Sequence, residues 1–274
     1  MPEELIVTVL SMNKPALLID LDGVIYQADS VIDGAVDTIN WINAQGIRCR
    51  YVTNTTSQSR TNLLQKLEQF GVTVSLEDIF TPILAALKWL NNQQIKNVAL
   101  FVRDNALSDF GGIGQPGYSA EPGVDAVVIG DLGDEWDYSL LNRAFRLLMN
   151  KPRPVLIALG LTRYWRADDG LRLDVAPFIK ALEYAASCTA IVVGKPAIDF
   201  FEMALSSFAE RPETAFMIGD DIASDIQGAQ QAGLKTILVK TGKYNEDDLK
   251  GDIKPDAILE SISDLPEWWQ SNYN

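Results

Sequence analysis

The chain has 274 residues, 47% of them hydrophobic and 22% charged, ordinary globular values that leave room for two domains and a substantial core. Its 23 basic and 37 acidic residues give a formal net charge of −14, which disfavours nucleic acid and anionic membranes, since both bind through basic patches. It has no histidine, which excludes a Ser-His-Asp triad, a Cys-His pair, a histidine-ligated zinc and a phosphohistidine intermediate. Acid–base work must fall to carboxylates, lysine or tyrosine.

In chain order, Ala16-Leu17-Leu18-Ile19-Asp20 reads as a short strand buried on both faces, with a turn after it at Gly23. Apolar positions Ala35, Val36, Ile39, Trp41 and Ile42 predict a helix over 34–45, and Leu63, Leu64, Leu67 and Phe70 predict another over 59–70, closed by Gly71. A strand ending at Val52 separates them. Pro82, Ile83, Leu84, Leu87 and Leu90 predict a helix over 82–92. From about residue 95 a second α/β series begins, with strands predicted at 97–102, 126–130 and 154–159. The glycine-rich stretch Gly111 to Gly117 lacks the strand-to-helix setting of a nucleotide loop and reads as a surface turn. A strand at Ile191 resumes the first series, and Glu246-Asp247-Asp248 reads as a solvated helix start. Strands alternating with amphipathic helices give an α/β fold with a parallel sheet.

Four strand ends in this series carry chemistry. The first is Asp20 and Asp22, two apart and so able to share a face if the strand continues. The second is Thr53-Asn54, the third Gly194-Lys195-Pro196, and the fourth Gly219-Asp220-Asp221 with Asp225 close behind. Singly, each has an ordinary reading: turn-forming acids, a strand-end hydroxyl, a surface lysine, an N-cap. Together they place acids, a hydroxyl, an amide and a lysine where open α/β sheets collect their ligands.

This set, spread over nearly the whole chain, resembles the four motifs of the haloacid dehalogenase-like (HAD) hydrolase superfamily. The long stretch between the second and third motifs is similar to subfamily IIA, the branch of NagD-type, pyridoxal phosphate and phospholysine phosphohistidine inorganic pyrophosphate phosphatase-like proteins. Val52-Thr53-Asn54-Thr55-Thr56, Arg163-Tyr164-Trp165 and Val239-Lys240-Thr241-Gly242-Lys243-Tyr244 add to that resemblance. It implies a Rossmann-like parallel-sheet core over residues 1–94 and 188–274, with an inserted α/β cap of the C2 type over 95–187 that selects substrate.

The activity so implied is a magnesium-dependent phosphatase acting on a phosphate monoester, phosphoamino acid or pyrophosphate. Asp20 would be the nucleophile and Asp22 the general acid and base. Asp20, the backbone carbonyl of Asp22, and Asp220 would hold Mg²⁺, with Asp225 orienting that shell. Lys195 would neutralise charge, and Thr53 and Asn54 would bind the phosphate. In the cap, Arg163 and Tyr164 are candidate substrate contacts beside Trp165 and Arg166; ordinary cation–π stacking in a surface loop explains them equally well. Asp22 points toward phosphate transfer rather than dehalogenation, because halide leaves without a proton. A phosphotransferase or mutase, or a phosphate-binding protein without turnover, remains open.

The expected partners are a small phosphorylated substrate or a phosphoprotein, with no nucleic acid or membrane, and a second copy of the chain paired through the cap. Cys49 and Cys188 form no zinc or disulfide framework and are expected as buried free thiols. No apolar run approaches the roughly 18 residues of a membrane span, and Met1-Pro2-Glu3-Glu4 lacks the basic start of a secretory signal. The expected location is cytoplasmic.

Overall fold

The computed structural model describes residues 15–167 and 170–273; the reading of Met1–Glu4 therefore lies outside the described residues. The strands of the two main sheets are β1 (Ala16–Asp20), β2 (Cys49–Val52), β3 (Ile79–Phe80), β4 (Val98–Phe101), β5 (Gln115–Pro116), β6 (Ala126–Ile129), β7 (Val155–Ala158), β8 (Ile191–Val192), β9 (Ala215–Gly219), β10 (Lys235–Val239) and β11 (Ala257–Leu259). They belong to two compact units. Of the described residues, one comprises those up to Thr53, Leu63–Phe80 and those from Ile198 to Tyr273; the other comprises Asn54–Asn62 and those from Thr81 to Ala197.

The first unit is built on a six-stranded sheet in the order β11-β10-β9-β1-β2-β3, parallel throughout. Its central strands β1 and β9 are buried at every position, as a sheet covered on both faces requires. Side chains of alternate residues gather on one face. Leu17, Ile19, Tyr51, Phe216, Ile218, Ile237 and Val239 pack there with Ile39 and Ile42 of the helix Ala35–Ala44, Leu63 and Leu67 of the helix Arg60–Gln69, and Trp269 of the helix Leu265–Tyr273. Burying such side chains contributes roughly 1.5–3 kcal/mol each. Gly34 and Gly71 adopt φ of +75° and +81° where the chain enters the first of these helices and leaves the second, conformations that side chains resist.

The second unit repeats the architecture with a five-stranded sheet, order β8-β7-β6-β4-β5, also parallel. Ala99, Phe101, Val127, Ile129, Leu156 and Ala158 pack with Ala144, Leu147 and Leu148 of the helix Tyr138–Leu148 and with Ile179 and Leu182 of the helix Val175–Ala186. Asp137 and Asp174 cap these two helices by accepting from Leu140 and Val175 N–H. The helix Pro82–Asn92 begins as its sequence predicts, with Thr81 capping Leu84 N–H and Pro82 in the first turn. An antiparallel hairpin, Tyr164–Ala167 with Gly170–Leu173, completes the unit.

Three expectations are modified. The strand at Ile191 does not resume the first series: it is β8, paired with β7 at the edge of the second sheet. The glycine-rich stretch is a turn only in its first part: Gly111 and Gly112 have open space around them, whereas Gln115–Pro116 is an edge strand and Gly117 lies flat against the Phe101 ring. Pro fits an edge because it has no N–H to offer a further strand. Both thiols are free, but only Cys49 is buried and Cys188 is half-buried. The acidic run at 246–248 does open a short 3₁₀ helix, Glu246–Lys250, capped by Asn245.

Candidate active site

Three of the four motif segments lie at the carboxyl edge of the first sheet. Asp20 is the last residue of β1 and pairs with Val52, so Thr53 is one step beyond it. Ile19 pairs with Ile218, which sets Gly219 level with Asp20 and Asp220 one step further. Parallel register alone thus brings Asp20, Thr53 and Asp220 to one edge. Thr53 is buried, and its N–H donates to Phe80 O at 3.3 Å.

Asp20, Asp220 and Asp225 are 7%, 1% and 0% exposed, and each offers a carboxylate oxygen within 4.8 Å of the others'. Three carboxylates this close and this buried repel one another unless a cation or protons intervene. Hard oxygens from separate carboxylates are the donors that a small divalent cation takes, so the residues fit a metal of that class. Asp225 belongs to the same cluster as Asp20 and Asp220.

Neighbouring glycines make room for these acids. A Cβ at Gly219 would overlap the Asp225 carboxylate, and a Cβ at either Gly23 or Gly242 would overlap that of Asp220. Gly23 and Gly242 also have φ of +84° and +58°, where other residues are strained. Lys243 N–H donates to Asp220 Oδ2 at 2.6 Å, and the Thr241 hydroxyl donates to Gly23 O at 2.5 Å. The segment Thr241-Gly242-Lys243 therefore orients Asp220 from beyond the end of β10. The sequence of this segment carries no acid that would mark it as part of the site.

The adjacent aspartates divide their work. Asp221 Oδ1 accepts from Ala223 and Ser224 N–H at 3.0 and 2.9 Å and caps a π-helical turn, Ile222–Gln227, that carries Asp225; π turns are frequent at functional sites. Asp225 in turn accepts from Asp221 N–H at 3.2 Å. Burial pushes the Asp221 carboxyl up, but the N–H of Ser224, the Lys243 ammonium, the Ser224 side chain and Ala223 N–H outweigh it and hold it below the ordinary aspartate value.

Asp22 differs from all of these in being exposed. The strand ends at Asp20, and Val24, Ile25 and Tyr26 N–H all donate to Leu21 O in the turn that follows. The shared-face argument from strand alternation therefore does not extend to Asp22. Its side chain is open to solvent. Burial, then the charges of Asp22 and Asp20, push the nearby Tyr26 hydroxyl up and keep it a neutral phenol.

The remaining predicted residues belong to the second unit. Lys195 follows β8 and is 3% exposed, and Asn54 is hydrogen-bonded to its main chain at both N–H and C=O. Arg163 and Tyr164 are exposed neighbours where the hairpin begins, with the guanidinium 5.7 Å from the ring centroid; the side chains of Trp165 and Arg166 lie outside the described residues. A groove of about 590 Å³ between the helix Tyr138–Leu148 and residues 118–122 contains none of the predicted site residues. In it Arg143 donates to the carbonyls of Gly117 and Ala120, holding that segment to the helix.

Comparison with known proteins adds relatives over most of the chain. Residues 17–115 match the haloacid dehalogenase-like hydrolase family and residues 192–265 a HAD-hydrolase-like family. The phospholysine phosphohistidine inorganic pyrophosphate phosphatase of Xenopus laevis is 40% identical over 240 residues, covering 86% of each chain. The chain is a haloacid dehalogenase-like hydrolase. Within the superfamily this hydrolase belongs to subfamily IIA. Haloacid dehalogenase-like hydrolase domain-containing protein 2 of Bos taurus is 42% identical to it over 233 residues, 85% of this chain and 86% of that one. Among solved structures, glycerol phosphate phosphatase from Mycobacterium tuberculosis in complex with magnesium superposes with a TM-score of 0.82 at 26% identity, covering 93% of this hydrolase and 77% of that chain. A hypothetical protein from Pyrococcus horikoshii gives 0.86 at 25% identity, covering 93% and 99%. Among the described residues no helix is long and apolar enough to cross a membrane.

Proposed function

We propose that this hydrolase is a magnesium-dependent phosphatase that works through an aspartyl-phosphate. The observation that carries the reading is the buried Asp20-Asp220-Asp225 cluster at the sheet edge with the exposed Asp22 two residues beyond Asp20. An Asp20 oxygen attacks phosphorus as the bond to the leaving oxygen breaks, and Asp22 gives that oxygen its proton. Asp22 then takes a proton from the water that attacks the same phosphorus, releasing phosphate and regenerating Asp20. Thr53 and Lys195 stabilise the charge on the phosphoryl oxygens; the role of Lys195 rests on its motif. Mg²⁺ held by Asp20, Asp220, the Asp22 carbonyl and the nearby Asp225 would supply charge neutralisation for a phosphoryl group approaching a protein of net charge −14.

The Xenopus relative and the magnesium-bound neighbour bear on substrate only through their names, which favour a small phosphorylated compound, a phosphoamino acid or pyrophosphate. In this reading residues 95–187 act as the cap, and Arg163 and Tyr164 contact the leaving group. The test is phosphate release from a panel of phosphometabolites, phospholysine, pyrophosphate and an aryl phosphate, run with magnesium and with chelator. Magnesium-dependent release from at least the aryl phosphate is expected. No release from any member, or release indifferent to chelator, would overturn the reading.

A further inference from the structure

We infer that Asn54 is a positioning residue for Lys195 rather than a ligand of the substrate phosphate; the inference rests on the phosphatase reading and refines it. Lys195 N–H donates to Asn54 Oδ1 at 2.8 Å, and Asn54 Nδ2 donates to Lys195 O at 2.9 Å. One planar amide thus grips the donor and the acceptor of a single residue. Rotating the amide by half a turn would set donor against donor and acceptor against acceptor, so the partners themselves fix its orientation.

The surroundings reinforce the grip. Val193 N–H donates to Ala158 O at 3.0 Å and Ala197 N–H to Gly194 O at 3.0 Å, so the chain is held on both sides of Lys195. A Cβ at Gly194 would overlap Leu159 O and crowd Asn54 Oδ1, so the glycine allows the approach on which the amide clamp depends. Asn54 is anchored through its own segment: the Thr56 hydroxyl oxygen accepts from Asp131 N–H at 2.9 Å and Asp109 Oδ2 from Arg60 N–H at 2.7 Å. Lys195 is itself 3% exposed, so a shift of its main chain is not easily absorbed in so packed a setting. Because Asn54 is bonded to Thr53, the clamp also fixes the chain next to the proposed phosphate-binding hydroxyl.

A double-mutant cycle on kcat/KM for an aryl phosphate tests this. Lys195→Ala should lower kcat/KM by about 10²–10³-fold, the usual effect of removing one group that stabilises transition-state charge. Asn54→Ala should lower it by about 10–10²-fold, as a displaced catalytic group does, while leaving KM nearly unchanged. If Asn54 acts through Lys195, the double variant should match Lys195→Ala within about three-fold. Losses that multiply would overturn the inference and make Asn54 an independent phosphate ligand. Full activity in Lys195→Ala would instead remove the site reading beneath it. Should Asn54→Ala fail to fold, Asn54→Asp keeps the acceptor for Lys195 N–H and enters the same cycle. Amide exchange at Lys195 gives a readout without turnover: it should accelerate in Asn54→Ala, and unchanged protection would count against the clamp.

Discussion

The two units share one architecture and differ in what stands at their strand ends. Both are parallel sheets flanked by helices, but the first ends its central strands in Asp20 and Asp220, whereas β4, β6 and β7 of the second run into Val102, Gly130 and Leu159. The acid nearest such an end in the second unit, Asp131, accepts from Gly133 N–H at 2.8 Å and closes a turn. The buried acids therefore gather at one edge only, and a shared fold does not give shared chemistry. What distinguishes the first edge is concentration: three carboxylates within 4.8 Å, two of them made possible by glycines that leave room for them.

The largest expected effect breaks that asymmetry directly. Asp20→Asn should lower phosphatase kcat by at least about 10³-fold, in the range of losing a nucleophile, with far-UV circular dichroism unchanged. Asp131→Asn, the corresponding change at the second edge, should leave kcat within a few-fold. Comparable losses in the two variants would mean that the acids at the first edge have no special role.

A smaller effect separates the two acids of the first motif. Asp22→Asn should lower kcat by about 10²–10⁴-fold on alkyl phosphates, the usual worth of general acid–base catalysis, and by clearly less on aryl phosphates, whose leaving group needs little protonation. Equal losses on the two substrates would make Asp22 a structural residue. Smaller again is Gly219→Ala, which drives a methyl group into the Asp225 carboxylate. It should cost about 1–3 kcal/mol of stability, as overpacking does, and should weaken Mg²⁺ binding measured by titration calorimetry.

Much of this comparison was legible in the sequence because it rests on local pattern. The helix Pro82–Asn92 follows from Pro82 and the spacing of its apolar residues, and the buried strands from short apolar runs ending in polar residues. The four strand-end motifs and their order were equally plain. Contacts that depend on distant chain were not. Nothing in Asn54 announces that its amide will close on a residue 141 positions away, and no periodicity reveals that Thr241-Gly242-Lys243 will orient Asp220. Adjacent Asp220 and Asp221 are indistinguishable by type; the π turn that Asp221 caps decides which one joins the cluster. Alternation would put Asp22 on the face of Asp20 only if the strand continued, and three N–H groups converging on Leu21 O end it instead.

The finest contrast lies between two half-buried acids whose pKa values shift in opposite directions. Hydrogen bonds and Lys243 outweigh burial at Asp221 and hold its carboxyl below the ordinary value, whereas burial dominates over Arg60 at Asp109 and pushes its carboxyl up. A depressed folded-state pKa contributes stability that is present above the unfolded value of about 3.9 and lost as pH falls through the folded value. A raised one lowers stability at neutral pH, and that cost disappears as pH falls through the folded value. Asn at either position keeps an acceptor for the N–H groups now bonded there, so each substitution isolates the charge. Asp221→Asn should therefore lower the urea midpoint at pH 7, by an amount below about 1 kcal/mol because the Lys243 partner is solvent-exposed. Asp109→Asn should raise it. The Asp109 difference should shrink as the pH is lowered toward about 4, and the Asp221 difference only below that, as the pH falls through its depressed folded-state value. The same sign at both positions would show that local charge does not govern either one.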